Sequence, residues 1–256
     1  MLLFDAGNSR CKWAWIENGV WLRQGVLNNS DSEAWQALKQ SFTQLNAPHK
    51  ILVSNVAGDL IMQRLRTLCA AWTSPLELVV AQTEQCGVRN NYEQAAQLGS
   101  DRWLALIAAW QRVGKACLVV NCGTATTLDA LSASGEFLGG LIMPGMELMR
   151  RSLFNTTALP GREIFDMQQH GELQDFPRNT HDAITSGVMR ASIAAIQYQY
   201  NLMQGLGETH CIVSGGAANI IIPHFEFPVE RVDQLVLQGM QIIGQHCSTI
   251  KGAVAR

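Results

Sequence analysis

The chain has 256 residues, 47% of them hydrophobic and 16% charged, with a formal net charge of −2; that length suits one large domain or two of roughly 130 residues each. With no excess of Lys and Arg and no basic run, it lacks the electrostatic footprint that nucleic acid or anionic lipid demands, so a small-molecule substrate is expected. No apolar run approaches ~18 residues, and Leu2-Leu3-Phe4 runs into Asp5 with no basic segment before it, so neither signal peptide nor anchor is expected and the protein is read as cytoplasmic.

In chain order, a strand at Leu2 to Phe4 ends on Asp5 and a Gly7 turn, a second strand covers about 10–16, an Asn18-Gly19 hairpin follows, and a third strand covers about 20–27. Asp31 caps a predicted helix over 32–44, where Trp35, Leu38, Phe42 and Leu45 recur at helical spacing. Strands fit 50–54 and 76–80 around a helix near 60–72, and a further helix covers 103–113. The pattern then restarts. Shifting the sequence by 116 residues lays Leu3 to Ser9 on Val119 to Ala125 and Gly19-Val20-Trp21 on Gly135-Glu136-Phe137. The second copy places strands at 126–131 and 137–142, a helix at 146–154, a long helix at 180–203, a strand at 210–213 and a terminal helix near 233–246. Strands alternating with helices after an antiparallel start make a mixed α/β sheet in each half, so two lobes are expected, 1–115 and 116–256, with a cleft between them.

The repeated turns carry chemistry. A Gly lets backbone approach a phosphate closely, adjacent N–H groups point outward, and Asn8, Ser9, Thr124 and Thr126 add neutral donors. Neither the G-x-G-x-x-G nor the G-x-x-x-x-G-K-[ST] pattern occurs, which excludes the two common helix-opening phosphate loops. Taken singly, Gly7 or Gly123 reads more often as just a tight hairpin residue; their repetition at matched spacing is what favours a phosphate role. Asp5 closes a buried strand, where a carboxylate needs magnesium or the amides of its own turn to compensate it; Lys12 reaches a phosphate or lies along the surface. Trp13, Trp15 and Trp21 fit ordinary strand packing. The seven cysteines and six histidines are dispersed, without ligand spacing, so reduced buried thiols are expected rather than a zinc site.

Five segments in order resemble the type III pantothenate kinases, a family of the acetate kinase, sugar kinase, Hsp70 and actin superfamily that is also related to the Bvg accessory factor proteins. They are Asp5-Ala6-Gly7-Asn8-Ser9, Gly99-Ser100-Asp101-Arg102-Trp103, Gly123 to Asp129, Gly139 to Gly145, and Ser214-Gly215-Gly216-Ala217. The resemblance implies a duplicated, two-lobed actin-like (ribonuclease H-like) fold and magnesium-ATP-dependent phosphorylation of pantothenate to 4'-phosphopantothenate, the first step of coenzyme A synthesis. By the same resemblance Asp5, Ala6, Gly7, Asn8, Ser9, Arg10, Cys11, Lys12 and Thr124 bind ATP, and Tyr92, Gly99, Ser100, Asp101, Arg102 and Thr180 bind pantothenate. Asp101 is then the general base, the Ser214 turn holds the nucleoside, and the chain is a homodimer. A carboxylate suits deprotonation of an alcohol, and the Arg102 fork suits a carboxylate substrate. The plain alternative is that Asp101 and Arg102 only open a helix, with Tyr92 a packed ring.

One position departs from the family. Its second phosphate loop usually begins with an Asp that holds potassium or ammonium, and this chain has Asn121, which offers an oxygen without the charge. Two other readings share the phosphate turns. A nucleotide-dependent regulatory protein of the same fold has no need of Tyr92, Asp101, Arg102 and Thr180; a sugar or acetate kinase is disfavoured by the short chain and those same residues.

Overall fold

The computed structural model of the chain describes residues 1–156 and 171–253. Two compact units emerge. The first contains Met1–Gly114, Gly135–Phe137 and the stretch from Gln234 onward; the second contains Lys115–Ser134 and Leu138–Asp233. The terminal helix, which the sequence reading assigns to the second half, thus clusters with the first.

The first unit opens with β1 (Leu2–Ala6), β2 (Arg10–Glu17) and β3 (Val20–Asn28), an antiparallel meander. Next come α1 (Ser32–Phe42), β4 (Ile51–Asn55), α2 (Asp59–Leu68) and β5 (Leu76–Leu78), the last two strands parallel to β1. The sheet order is β3-β2-β1-β4-β5. Asp31 caps α1 as its sequence predicts, its carboxylate accepting from the Ala34 N–H at 3.0 Å. The apolar spacing then buries Trp35, Leu38 and Phe42 against a cluster that includes Leu2, Phe4, Trp13, Trp15 and Leu65. The hairpin tryptophans are core: Trp13 meets Phe42 edge-on at 5.3 Å and Trp15 lies 5.6 Å from Trp72. Trp21 instead anchors its indole N–H on Gln241 at 2.6 Å.

A short ribbon follows, β6 (Glu84–Gln85) and β7 (Val88–Asn90), then α3 (Ser100–Val113). The helix is buried on nearly every face from Arg102 to Ala109.

In the second unit, β8 (Cys117–Cys122), β9 (Ala125–Leu131) and β10 (Glu136–Pro144) form the repeated meander. They are followed by α4 (Met146–Thr156), α5 (Thr180–Gln204), β11 (His210–Ser214), α6 (Ala218–Ile221) and β12 (Glu230–Arg231). The order is β10-β9-β8-β11-β12, the same arrangement as in the first unit, which is the duplication read off the sequence. The first residues of β10, Glu136 and Phe137, pair in parallel with Arg89 and Asn90 and belong to the first unit. Helix α7 (Leu235–Ala253) packs on α3, where Gly239 lies so close to the Leu104 backbone that no Cβ fits. Among the described residues six cysteines are free and no His, Cys, Asp and Glu cluster is able to hold a metal ion; the Cys247 side chain lies outside those described. No described helix is long and apolar enough to cross a membrane.

Candidate active site

The first turn begins where β1 ends. Asp5, the one acid in an otherwise apolar strand, is buried and pairs in register with Lys12 on β2 and Ser54 on β4. Lys12 Nζ lies 3.9 Å from its carboxylate. That partner is too distant to offset desolvation: the Asp5 pKa is pushed from 3.8 up to about 6 by burial, against the pull of Lys12, with the charge of Asp101 adding to the rise. Ala6 and Cys11 belong to the hydrophobic core, and burial pushes the Cys11 thiol far up, so any contribution they make to a ligand is through the main chain. Asn8, Ser9 and Arg10 are exposed. The Gly7 N–H is spent on the Arg10 carbonyl at 3.1 Å, closing the turn.

The segment containing Asp101 is bound to the same strand ends. Ser54 closes the apolar run Ile51-Leu52-Val53 beside Asp5, and its hydroxyl lies 2.8 Å from that of Ser100, the first residue of α3. Asp101 sits in the first helical turn, where the partial positive charge of the helix N-terminus favours a carboxylate; its Oδ1 accepts from the Arg102 N–H at 2.8 Å. Opening the helix and adding its charge to the surroundings of Asp5 are therefore compatible tasks for one residue. Arg102 is buried with its guanidinium 5.7 Å from the Tyr92 ring and 5.6 Å from the Phe137 ring, and Nη1 donates to the Tyr92 hydroxyl at 2.8 Å. The two rings lie 5.5 Å apart. Asn90 fixes the approach of Tyr92, its Oδ1 accepting from the Tyr92 N–H at 3.1 Å while its Nδ2 donates to the Ala95 carbonyl at 3.0 Å. Asp5, Lys12, Ser54, Tyr92, Ser100, Asp101, Arg102 and Phe137 thus all belong to the first unit. Ser54 and Phe137 escape the sequence reading. A polar residue closing an apolar strand is a usable signal for Ser54; nothing local marks Phe137, which reaches the site through the β7–β10 pairing.

The second turn repeats the first with one residue fewer. Ala6 and Cys11 enclose Gly7 to Arg10, whereas Cys122 and Thr126 enclose only Gly123 to Ala125, and Gly123 N–H donates to the Ala125 carbonyl at 3.0 Å. Neither Gly7 nor Gly123 has a positive φ; the space left for a side chain is what is tight, since a Cβ would meet a carbonyl oxygen at 3.3 Å and 3.4 Å respectively. Asn121 is half-buried on β8 between Thr127 and Ser214. The turn at Gly215, with φ +100°, presses on the Cys122 backbone, and the Ala217 N–H donates to the Cys122 carbonyl at 3.1 Å. Two of the resembling segments therefore converge on the end of β8. Thr180 is the first residue of α5 in the second unit.

A family model described as type III pantothenate kinase matches residues 1–202. The type III pantothenate kinase of Nitrosospira multiformis is 41% identical over 258 residues, covering 99% of this chain and 95% of the relative. Among solved structures, a Baf family protein from Campylobacter jejuni has a TM-score of 0.62 at 22% identity, with 97% and 100% of the two chains covered. The activator of the 2-hydroxyisocaproyl-CoA dehydratase from Clostridium difficile, with bound ADPNP, has a TM-score of 0.54 at 10% identity, covering 100% and 98%. These structures establish the duplicated actin-like α/β fold and nothing finer. The sequence matches over nearly the whole length carry the assignment: this chain belongs to the type III pantothenate kinase family.

Proposed function

We propose that the protein phosphorylates pantothenate with ATP and a divalent metal such as magnesium, as the first step of coenzyme A synthesis, with Asp101 as general base. The observation that carries the reading is the 2.8 Å contact between the hydroxyls of Ser54, in register with Asp5, and Ser100, the residue before Asp101, which ties the start of the Asp101 helix to the strand end that carries Asp5 within one unit. A nucleotide-gated regulatory protein needs the first acid and not the second, so this tie between them favours the kinase.

A buried carboxylate whose pKa is raised to about 6, with its nearest cation at 3.9 Å, suits a site completed by a cation. The described residues form no cluster of three or more metal-ligating side chains, so Asp5 would be the protein group that holds the divalent metal beside the nucleotide. When bound, magnesium neutralises charge on the phosphate oxygens. The chain's residues then do the rest. The Gly7 turn from Asp5 to Lys12 and the turn at Thr124 hold the nucleotide phosphates, and the Ser214 turn takes the nucleoside. Tyr92, Gly99, Ser100, Arg102 and Thr180 orient pantothenate, with the Arg102 fork matching its carboxylate. Asp101 accepts the hydroxyl proton as the oxygen attacks the γ-phosphorus and the γ–β bridging bond breaks, leaving ADP.

Asn121 offers an oxygen to a monovalent cation without a compensating charge, so potassium or ammonium dependence is expected to be weak. A homodimer is supported by the family and by exposed Tyr198 and Leu202, four residues apart on α5, the helix that Thr180 begins. A cytoplasmic location fits the substrates. Incubating purified protein with magnesium-ATP and pantothenate and detecting phosphopantothenate by mass tests the proposal; ATP binding without product would favour the regulatory reading.

A further inference from the structure

Both meanders are closed by the same device, one residue past the third strand. Asn29 follows β3 and Gly145 follows β10, the same 116 residues apart as the turns themselves. The amide N–H of Asn29 donates to the Ser9 carbonyl at 3.0 Å, and that of Gly145 donates to the Thr124 carbonyl at 2.9 Å. In the second unit the approach is so close that a Cβ on Gly145 would overlap the carbonyls of Gly123 and Thr124. In the first unit a side chain adds to the grip: Asn29 Nδ2 donates to the Gly7 carbonyl at 2.8 Å and to the Asn8 carbonyl at 3.0 Å. Three consecutive turn carbonyls therefore end on one residue.

Two carbonyl acceptors also determine which way that amide faces, because only its NH2 is able to donate. The orientation leaves Asn29 Oδ1 buried without a partner among the described residues, a cost that would not persist if the turn's carbonyls were free to go elsewhere. Asn29 is itself held from behind, its carbonyl accepting from Arg64 Nη1, and the Arg64 guanidinium lies 5.9 Å over the Trp35 ring.

A turn that receives an anion must point its N–H dipoles at the ligand and keep its carbonyl oxygens away from it. We propose that Asn29 is the positioning residue of the first phosphate turn, tying back the carbonyls of Gly7, Asn8 and Ser9 so that the turn is built for phosphate before ATP arrives, with Gly145 as its main-chain counterpart in the second. The role rests on the reading that these turns hold ATP phosphates.

Three proteins test it: the parent, Asn29→Ala and the isosteric Asn29→Asp, which keeps the packing but lacks the donors and adds negative charge. Each is titrated calorimetrically with the magnesium complex of AMPPNP, and the KM values for ATP and pantothenate are measured separately. Loss of two side-chain hydrogen bonds should weaken AMPPNP binding and raise the ATP KM about tenfold in Asn29→Ala, and more in Asn29→Asp, while the pantothenate KM stays within about twofold. If Asn29→Ala does not fold, the isosteric variant decides the matter alone. An Asp variant that binds AMPPNP like the parent, or equal rises in both KM values, would overturn the positioning role. A parent that neither binds AMPPNP nor makes phosphopantothenate would instead overturn the phosphate reading, and the positioning role with it.

Discussion

Asp5→Asn separates what the first turn costs from what it does. In the folded protein the Asp5 carboxyl titrates at about 6 instead of 3.8, chiefly because it is buried. A raised acid pKa means that the folded state holds its proton more tightly than the unfolded chain. Below about pH 4 both states are protonated and the group is neutral in its effect; across pH 4 to 6 stability falls, and above about 6 the whole penalty is present. At roughly 1.4 kcal/mol per pH unit, the displacement corresponds to a penalty of about 3 kcal/mol at pH 7.5. That figure is already net of the attraction of Lys12, whose Nζ lies 3.9 Å away, because its pull is included in the displacement to about 6. Asp5→Asn should therefore stabilise the metal-free, nucleotide-free protein by about 3 kcal/mol, raising its melting temperature by about 6–12 °C. The measurement is a set of thermal melts of both proteins between pH 4 and 8, in which the gap opens as pH rises through 6, alongside a turnover assay in which the variant loses at least about a hundredfold. A variant that melts below the parent at pH 7.5, or a gap independent of pH, would refute the argument that burial of this charge costs stability and leaves a place for a cation.

Asp101→Asn should lower kcat by about 10²–10⁴-fold with AMPPNP binding retained; parental turnover would remove Asp101 as base. Tyr92→Phe deletes the hydroxyl that accepts from Arg102 Nη1 at 2.8 Å and should raise the pantothenate KM about threefold to tenfold, leaving the ATP KM unchanged, as read by varying each substrate in turn. Asn121→Asp, assayed with and without potassium, should increase the response to the cation; no gain would count against a ligand role at this position.

Much of the fold is legible because it depends on local pattern. The period of two in the meanders, the Asn18-Gly19 turn and the Asp31 cap all act within a few residues, and the 116-residue repeat carries the pattern from one half to the other. The strands β6, β7 and β12 are not legible, since two or three residues carry no periodicity: β6 and β7 pair across the Cys86-Gly87 turn, and β12 pairs with β11 only after the intervening segment 215–229 has folded back. The terminal helix joins the first unit because its face fits α3 through the gap at Gly239, a matter of shape between segments more than a hundred residues apart.

Of the candidate site, the residue types and their order belong to the amino-acid sequence: two glycine turns, an acid at the end of the first strand, and Asp101-Arg102 at a helix start. Their energetics do not. That Asp5 is driven up to about 6, that Lys12 faces it across a strand pair, that Arg102 lies among two rings, and that Asn29 gathers three carbonyls are decided by which strands become neighbours. Desolvation and hydrogen bonding depend on distances in space, and those distances exist only once the sheet has formed.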